Sequence, residues 1–170
     1  MDAEVEAWLS GSVLPDFGSQ VAYDETARTW FRELYTTAGA LSGEALWTAA
    51  VTHQFELAKD AVLAVYADLT ATLTDRSLTI APEIHGFIVR ISVEGQFSEH
   101  DGGRMLAFGR DEALLEVART VQDMITGLWV VWPECPEHGR AMMAESGFRP
   151  TWVCRTGPHE IAPIGSLGGG

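Results

Sequence analysis

The stretch Gly86-Phe87-Ile88-Val89-Arg90-Ile91-Ser92-Val93-Glu94 decides the fold class. Apolar residues upstream of it recur at helical spacing, and here the period changes to two. Phe87, Val89, Ile91 and Val93 alternate with Ile88, Arg90, Ser92 and Glu94, the pattern of a strand with one buried face. Just before it, Leu78 to Ala81 reads as a short strand stopped by Pro82. Just after it, the tip His100-Asp101-Gly102-Gly103 holds an Asp-Gly pair suited to a tight hairpin turn. Met105 to Phe108 would be the returning strand.

Helices flank this small sheet. Asp24 reads as an N-cap for a helix carrying Trp30, Phe31, Leu34 and Tyr35 and ending at Gly39. Ser42 is a second cap. After it Trp47, Val51, Phe55, Ala58, Val62, Val65 and Leu69 form one stripe of a long helix. A third helix starts near Asp111 and Glu112, whose charge favours the backbone dipole. Its apolar face is Leu114, Val117, Ala118, Val121, Met124, Ile125 and Leu128. At the N-terminus, Glu4 to Leu9 suggests a turn or two of helix, and Gly11 to Gln20 a loop around Pro15 and Gly18. Helices, an antiparallel sheet, a helix and a distinct tail, in that order, predict an α+β protein. The expected division is a body over residues 1–126 and a zinc-ribbon-like β unit over 127–170.

Composition narrows the function classes. The chain has 170 residues, 46% of them hydrophobic, which is enough for a packed core. Twenty-four acids face eleven bases, for a formal charge of -13, and Lys59 is the only lysine. So acidic a surface repels phosphate backbones and anionic lipid, and disfavours nucleic-acid and membrane-surface binding. The acidic start Met1-Asp2-Ala3-Glu4 lacks the features of a signal peptide, and no window is apolar enough to span a bilayer. The expectation is a cytoplasmic protein with reduced thiols.

The tail holds both cysteines and half of the six tryptophans. It reads Trp129-Val130-Val131-Trp132-Pro133-Glu134-Cys135-Pro136-Glu137-His138-Gly139, and later Thr151-Trp152-Val153-Cys154-Arg155-Thr156-Gly157-Pro158-His159. Two loops, Cys-x2-His and Cys-x4-His, each present one thiol and one imidazole, with fifteen residues between them. Zinc takes nitrogen and sulfur donors at tetrahedral corners, so Cys135, His138, Cys154 and His159 are the candidate ligands of one Zn2+ per chain. Four protein donors fill the sphere and leave no place for substrate, which makes such a site structural rather than catalytic. The other readings of Cys135 and Cys154 are unliganded core thiols and one disulfide across a hairpin.

The pattern Trp-Pro-x-Cys-Pro-x-His-Gly, then Trp-x-Cys and Gly-x-His, resembles a zinc-ribbon tail and is similar to the ends of uncharacterised actinobacterial proteins. Its first loop matches the ribbon knuckle Cys-Pro-x-Cys-Gly with His138 as the second ligand. Its second loop departs from the usual ribbon in having four intervening residues, with Pro158 just before His159. The resemblance covers about a quarter of the chain and implies a metal-held β unit, without an activity.

Other chemistry is sparse. There is no Gly-x-Ser-x-Gly elbow, no Gly-x4-Gly-Lys loop and no Gly-x-Gly-x-x-Gly fingerprint. His53 and Glu56 read as a helix-surface ion pair. The function that follows is a non-enzymatic, acidic protein-binding module of the inhibitor, immunity or assembly type, with a basic protein as its partner. One alternative is an enzyme with an acid/base site between sheet and helices, using His85 or His100. The other is a nucleic-acid-binding ribbon using Arg140, Arg149, Arg155 and Trp152. The three tail tryptophans either pack on the body or form a partner surface, since a ribbon is too thin to bury them.

Overall fold

The computed structural model describes residues 2–99 and 102–168. Its architecture is α+β. Helices α1 (Asp2–Trp8), α2 (Leu14–Phe17) and α3 (Ser19–Tyr23) precede α4 (Glu25–Ala38) and the long α5 (Gly43–Thr72). Strands β1 (Ile80–His85), β2 (Ile88–Val93) and β3 (Gln96–Phe97) form one antiparallel sheet in the order β1-β2-β3. Helix α6 (Arg110–Gly127) leads to β4 (Met143–Glu145), β5 (Thr151–Cys154) and β6 (His159–Pro163), a second antiparallel sheet in chain order.

Several local expectations are borne out. The Asp24 carboxylate accepts from the N–H groups of Thr26 and Ala27 at 2.8 and 3.3 Å, the geometry of an N-cap. The alternation in β2 buries Val89, Ile91 and Val93. Others need correction. Gly11 to Gln20 is helical rather than a loop: a π-helical turn (Leu9–Val13) runs into α2, with Pro15 in the first turn, where its missing N–H does no harm. Strand β1 runs through Pro82, which an edge strand tolerates. The β2–β3 hairpin turns at Glu94-Gly95, both at positive φ, and not at the Asp-Gly pair. His100 and Asp101 of that expected tip lie outside the described residues. The expected returning strand is reduced to a bridge between Arg90 and Arg104 and a bond from the Met105 N–H to the Val89 carbonyl.

Helix α5, about 45 Å long at 1.5 Å per residue, serves two cores. Its N-terminal half supplies Leu46 and Ala50 to an aromatic cluster with Trp8, Phe17, Phe31 and Phe108. Its C-terminal half joins β2, α6 and the tail in the larger core, where Val65, Val89, Val121, Trp132 and Trp152 pack together. Trp132 and Trp152 therefore pack on the helices, in edge-to-face contact at 5.4 Å, while Trp129 is 97% exposed.

Polar bonds fix the tail on this core. Asp68 of α5, fully buried, accepts from the Trp152 indole at 2.7 Å and from the N–H groups of Gly165 and Leu167 at 2.6 and 2.7 Å. The Trp132 indole donates to Thr72, one turn further on, at 2.9 Å. From α6, the buried Gln122 amide donates to the carbonyls of Trp132 and Met142, and Arg119 donates twice to that of Ala144 at 3.2 Å. The end of the chain lies so close to α5 that side chains at Gly165 and Gly168 would strike Ala64 and Ala71.

Asp68→Ala would strand the indole and two backbone donors in a buried place, so it is expected to cost about 3–5 kcal/mol. Chemical denaturation checks this. A loss under about 1 kcal/mol would show that these bonds do not hold the tail.

Candidate metal centre

Two hairpins bring the ligand-type residues together. In the first, the Cys135 N–H donates to the Arg140 carbonyl at 2.8 Å, the Gly139 N–H to the Cys135 carbonyl at 2.9 Å, and the Met142 N–H to the Pro133 carbonyl at 2.8 Å. The chain reverses within Cys135 to Arg140, and Gly139 supplies the positive φ of 59° that the reversal needs. In the second, Cys154 ends β5 and His159 begins β6, directly opposite one another in the register. The four residues between them form the loop, so the longer spacing does not remove His159 from the site.

The donor atoms of Cys135, His138, Cys154 and His159 all lie within 4.8 Å of one another. His138 Nδ1 is 3.5 Å from both sulfurs, and His159 Nε2 is 3.9 Å from the Cys135 sulfur. A tetrahedral ion with thiolate bonds of about 2.3 Å and imidazole bonds of about 2.0–2.1 Å would hold sulfur and nitrogen about 3.6 Å apart. The observed spacing fits a single shared cation. Both sulfurs are buried, whereas His138 is exposed and His159 half-buried, so the site is anchored in the core and closed from outside by imidazoles. Glu137 stands at its outer edge, 3.8 Å from His159 Nε2. These four residues could bind a metal ion.

Gly157, in the second loop, organises the site. Its carbonyl accepts from His159 Nδ1, which puts the proton on that nitrogen and leaves Nε2 bare toward the cluster. A metal-binding histidine is commonly fixed in this way. The Cys154 thiol is lowered from 9.0 to about 7, by the Gly157 N–H more than by any other group, with smaller contributions from the Thr156 N–H, Cys135 and His138 and with desolvation opposing them. A β-carbon at Gly157 would stand 2.7 Å from Cε1 and 3.0 Å from Nε2 of His138, so the imidazole packs where only glycine leaves room. The sequence marks Gly157 as a loop glycine but gives no sign of these three contacts.

Among the described residues, the remaining candidates do not gather into a site. His85 is an exposed strand-end residue 3.4 Å from Glu83, with its ring edge-on to Phe97. His100 lies outside the described residues. His53 does not pair with Glu56, which instead meets Lys59 at 2.6 Å; it stacks on Trp30 at 4.7 Å and bonds the Phe108 carbonyl at 3.0 Å. Trp152 is buried, so it presents no face to a nucleic-acid base, and Arg155 is paired with Glu145 at 2.8 Å. No helix among the described residues is long and apolar enough to cross a membrane.

Compared with protein-family models, curated proteins and solved structures, the chain matches none.

Gly157→Ala is expected to lower metal affinity at least tenfold, the range found when groups supporting a ligand are lost, while circular dichroism stays unchanged. Competition with a chromophoric chelator reads this, and an unaltered affinity would contradict the packing argument. The same titration across pH should show affinity falling as pH drops through about 7, because protonation of Cys154 removes a ligand. The sign follows from the depressed pKa: the thiolate form, and any stability it contributes, is present at higher pH and lost as pH falls through about 7. Affinity independent of pH between 6 and 8 would exclude Cys154 as a ligand.

Proposed function

We propose that Cys135, His138, Cys154 and His159 hold one structural zinc ion in a zinc-ribbon-like tail, and that the chain is a non-enzymatic module that binds a basic protein partner. The observation that carries the metal reading is the convergence of two sulfurs and two imidazole nitrogens, from separate hairpins, within 4.8 Å. Zinc is favoured because this donor set is the one it takes in closed structural sites. Two thiolates balance its charge.

A structural role is supported by the saturated donor set. Three β-strands and two loops are a small unit, and the free energy of binding an ion adds directly to their folding. A binding role is supported by charge. A chain at -13 repels acidic surfaces and steers basic ones toward itself. An inhibitor or immunity-type protein against a basic enzyme, or a component of an assembly, fits these physical properties.

Elemental analysis tests the metal reading. Purified protein is expected to carry one zinc per chain, and Cys135→Ser none. Full zinc occupancy in that variant, or a wild-type chain that takes up no zinc when it is supplied, would overturn it.

A further inference from the structure

A groove of about 680 Å³ lies between the β2–β3 hairpin and the C-terminal end of α6. Its apolar lining includes Phe97, Met124, Leu128 and Trp129, and its charged lining is Glu94, Glu99 and Asp123, with no base among the described lining residues. Trp129 is the unusual member. It is 97% exposed and sits at a φ of 61°, a left-handed conformation that bulky side chains rarely adopt. Its N–H still donates to the Thr126 carbonyl at 2.9 Å, so the helix end holds the backbone while the indole stands in solvent. Leu128 beside it is 45% exposed and Val131 beyond it 55%. A strained backbone presenting an unpacked tryptophan has no account in the packing of this chain, and tryptophan is the residue most enriched at binding hot spots.

We propose that this groove receives an extended or helical segment of another protein, one that places a large apolar side chain against Trp129 and flanks it with lysine or arginine. The proposal rests on the reading of the chain as a module for a basic partner, and it names the surface and the chemistry. Charge complementarity selects the occupant: three carboxylates around an apolar floor attract cations on the rim of an apolar anchor. The same charge argues against a second copy of the chain, which would bring carboxylates to carboxylates on two bodies of -13.

A display library of random twelve-residue peptides, selected against the immobilised full chain, tests this. The expected pool is enriched in a large apolar residue flanked by lysine or arginine. A synthetic peptide of that pool should bind Trp129→Ala at least tenfold more weakly and Asp123→Lys at least threefold more weakly. Both positions are exposed, and unchanged circular dichroism confirms that the variants fold. A basic pool that binds Trp129→Ala as tightly as wild type would overturn the groove while leaving the basic-partner reading standing. An acidic pool, or no enrichment, would overturn both. Self-association of the chain that Trp129→Ala abolishes would replace the peptide with a second copy and would also overturn the proposal.

Discussion

A carboxylate with no exposure to water, Asp68, holds the C-terminal tail to the long helix α5. It sits in the last turns of α5 and takes hydrogen from the indole of β5 and from two backbone groups near the C-terminus. A buried anion is tolerated only when its oxygens are satisfied, so this residue demands one position for the tail and no other. Once Trp152 is placed, Cys154, two residues later in β5 and buried in the same core, is placed with it. Gln122 and Arg119 of α6 place that hairpin independently, through the carbonyls around Trp132, Met142 and Ala144. The cluster of sulfur and nitrogen donors is thus positioned by two helices as well as by its own loops.

That arrangement divides the work between packing and coordination. The sheet β4-β5-β6 is thin, yet Trp152 and Cys154 within it, and Trp132, Cys135 and Ile164 beside it in the tail, belong to the same buried cluster as the faces of α5 and α6. Core packing orients the two thiols from below. The imidazoles close the site from the solvent side, one pressed against Gly157 and the other bonded to its carbonyl. An ion in this place would tie the loops to each other, where the hydrophobic core does not reach.

The features legible in the sequence were those encoded over short distances. The Cys-x2-His and Cys-x4-His spacings, the alternation from Phe87 to Val93 and the stripe of α5 each depend on residues within a few turns of one another. What was hidden depends on distant partners. Asp68 looks like a surface acid between Ala67 and Leu69, because nothing local shows that Trp152 will arrive above it. His53 and Glu56 have the spacing of an ion pair, but Trp30 and Phe108 draw the imidazole away. The segment from Gly11 to Gln20 carries glycine and proline, yet helix persists because Leu9, Val13 and Phe17 are buried in the aromatic cluster. The Asp-Gly pair at 101 and 102 has the turn chemistry of a hairpin tip, but Glu94-Gly95, unmarked by such a pair, turns β2 directly into β3.

X-ray absorption at the zinc edge, on protein loaded with one equivalent of zinc, tests the central claim most directly. The account predicts a first shell of two sulfurs at about 2.3 Å and two nitrogens at about 2.0–2.1 Å, with the outer scattering of imidazole rings. A shell of oxygen and nitrogen alone, or one with a single sulfur, would contradict it.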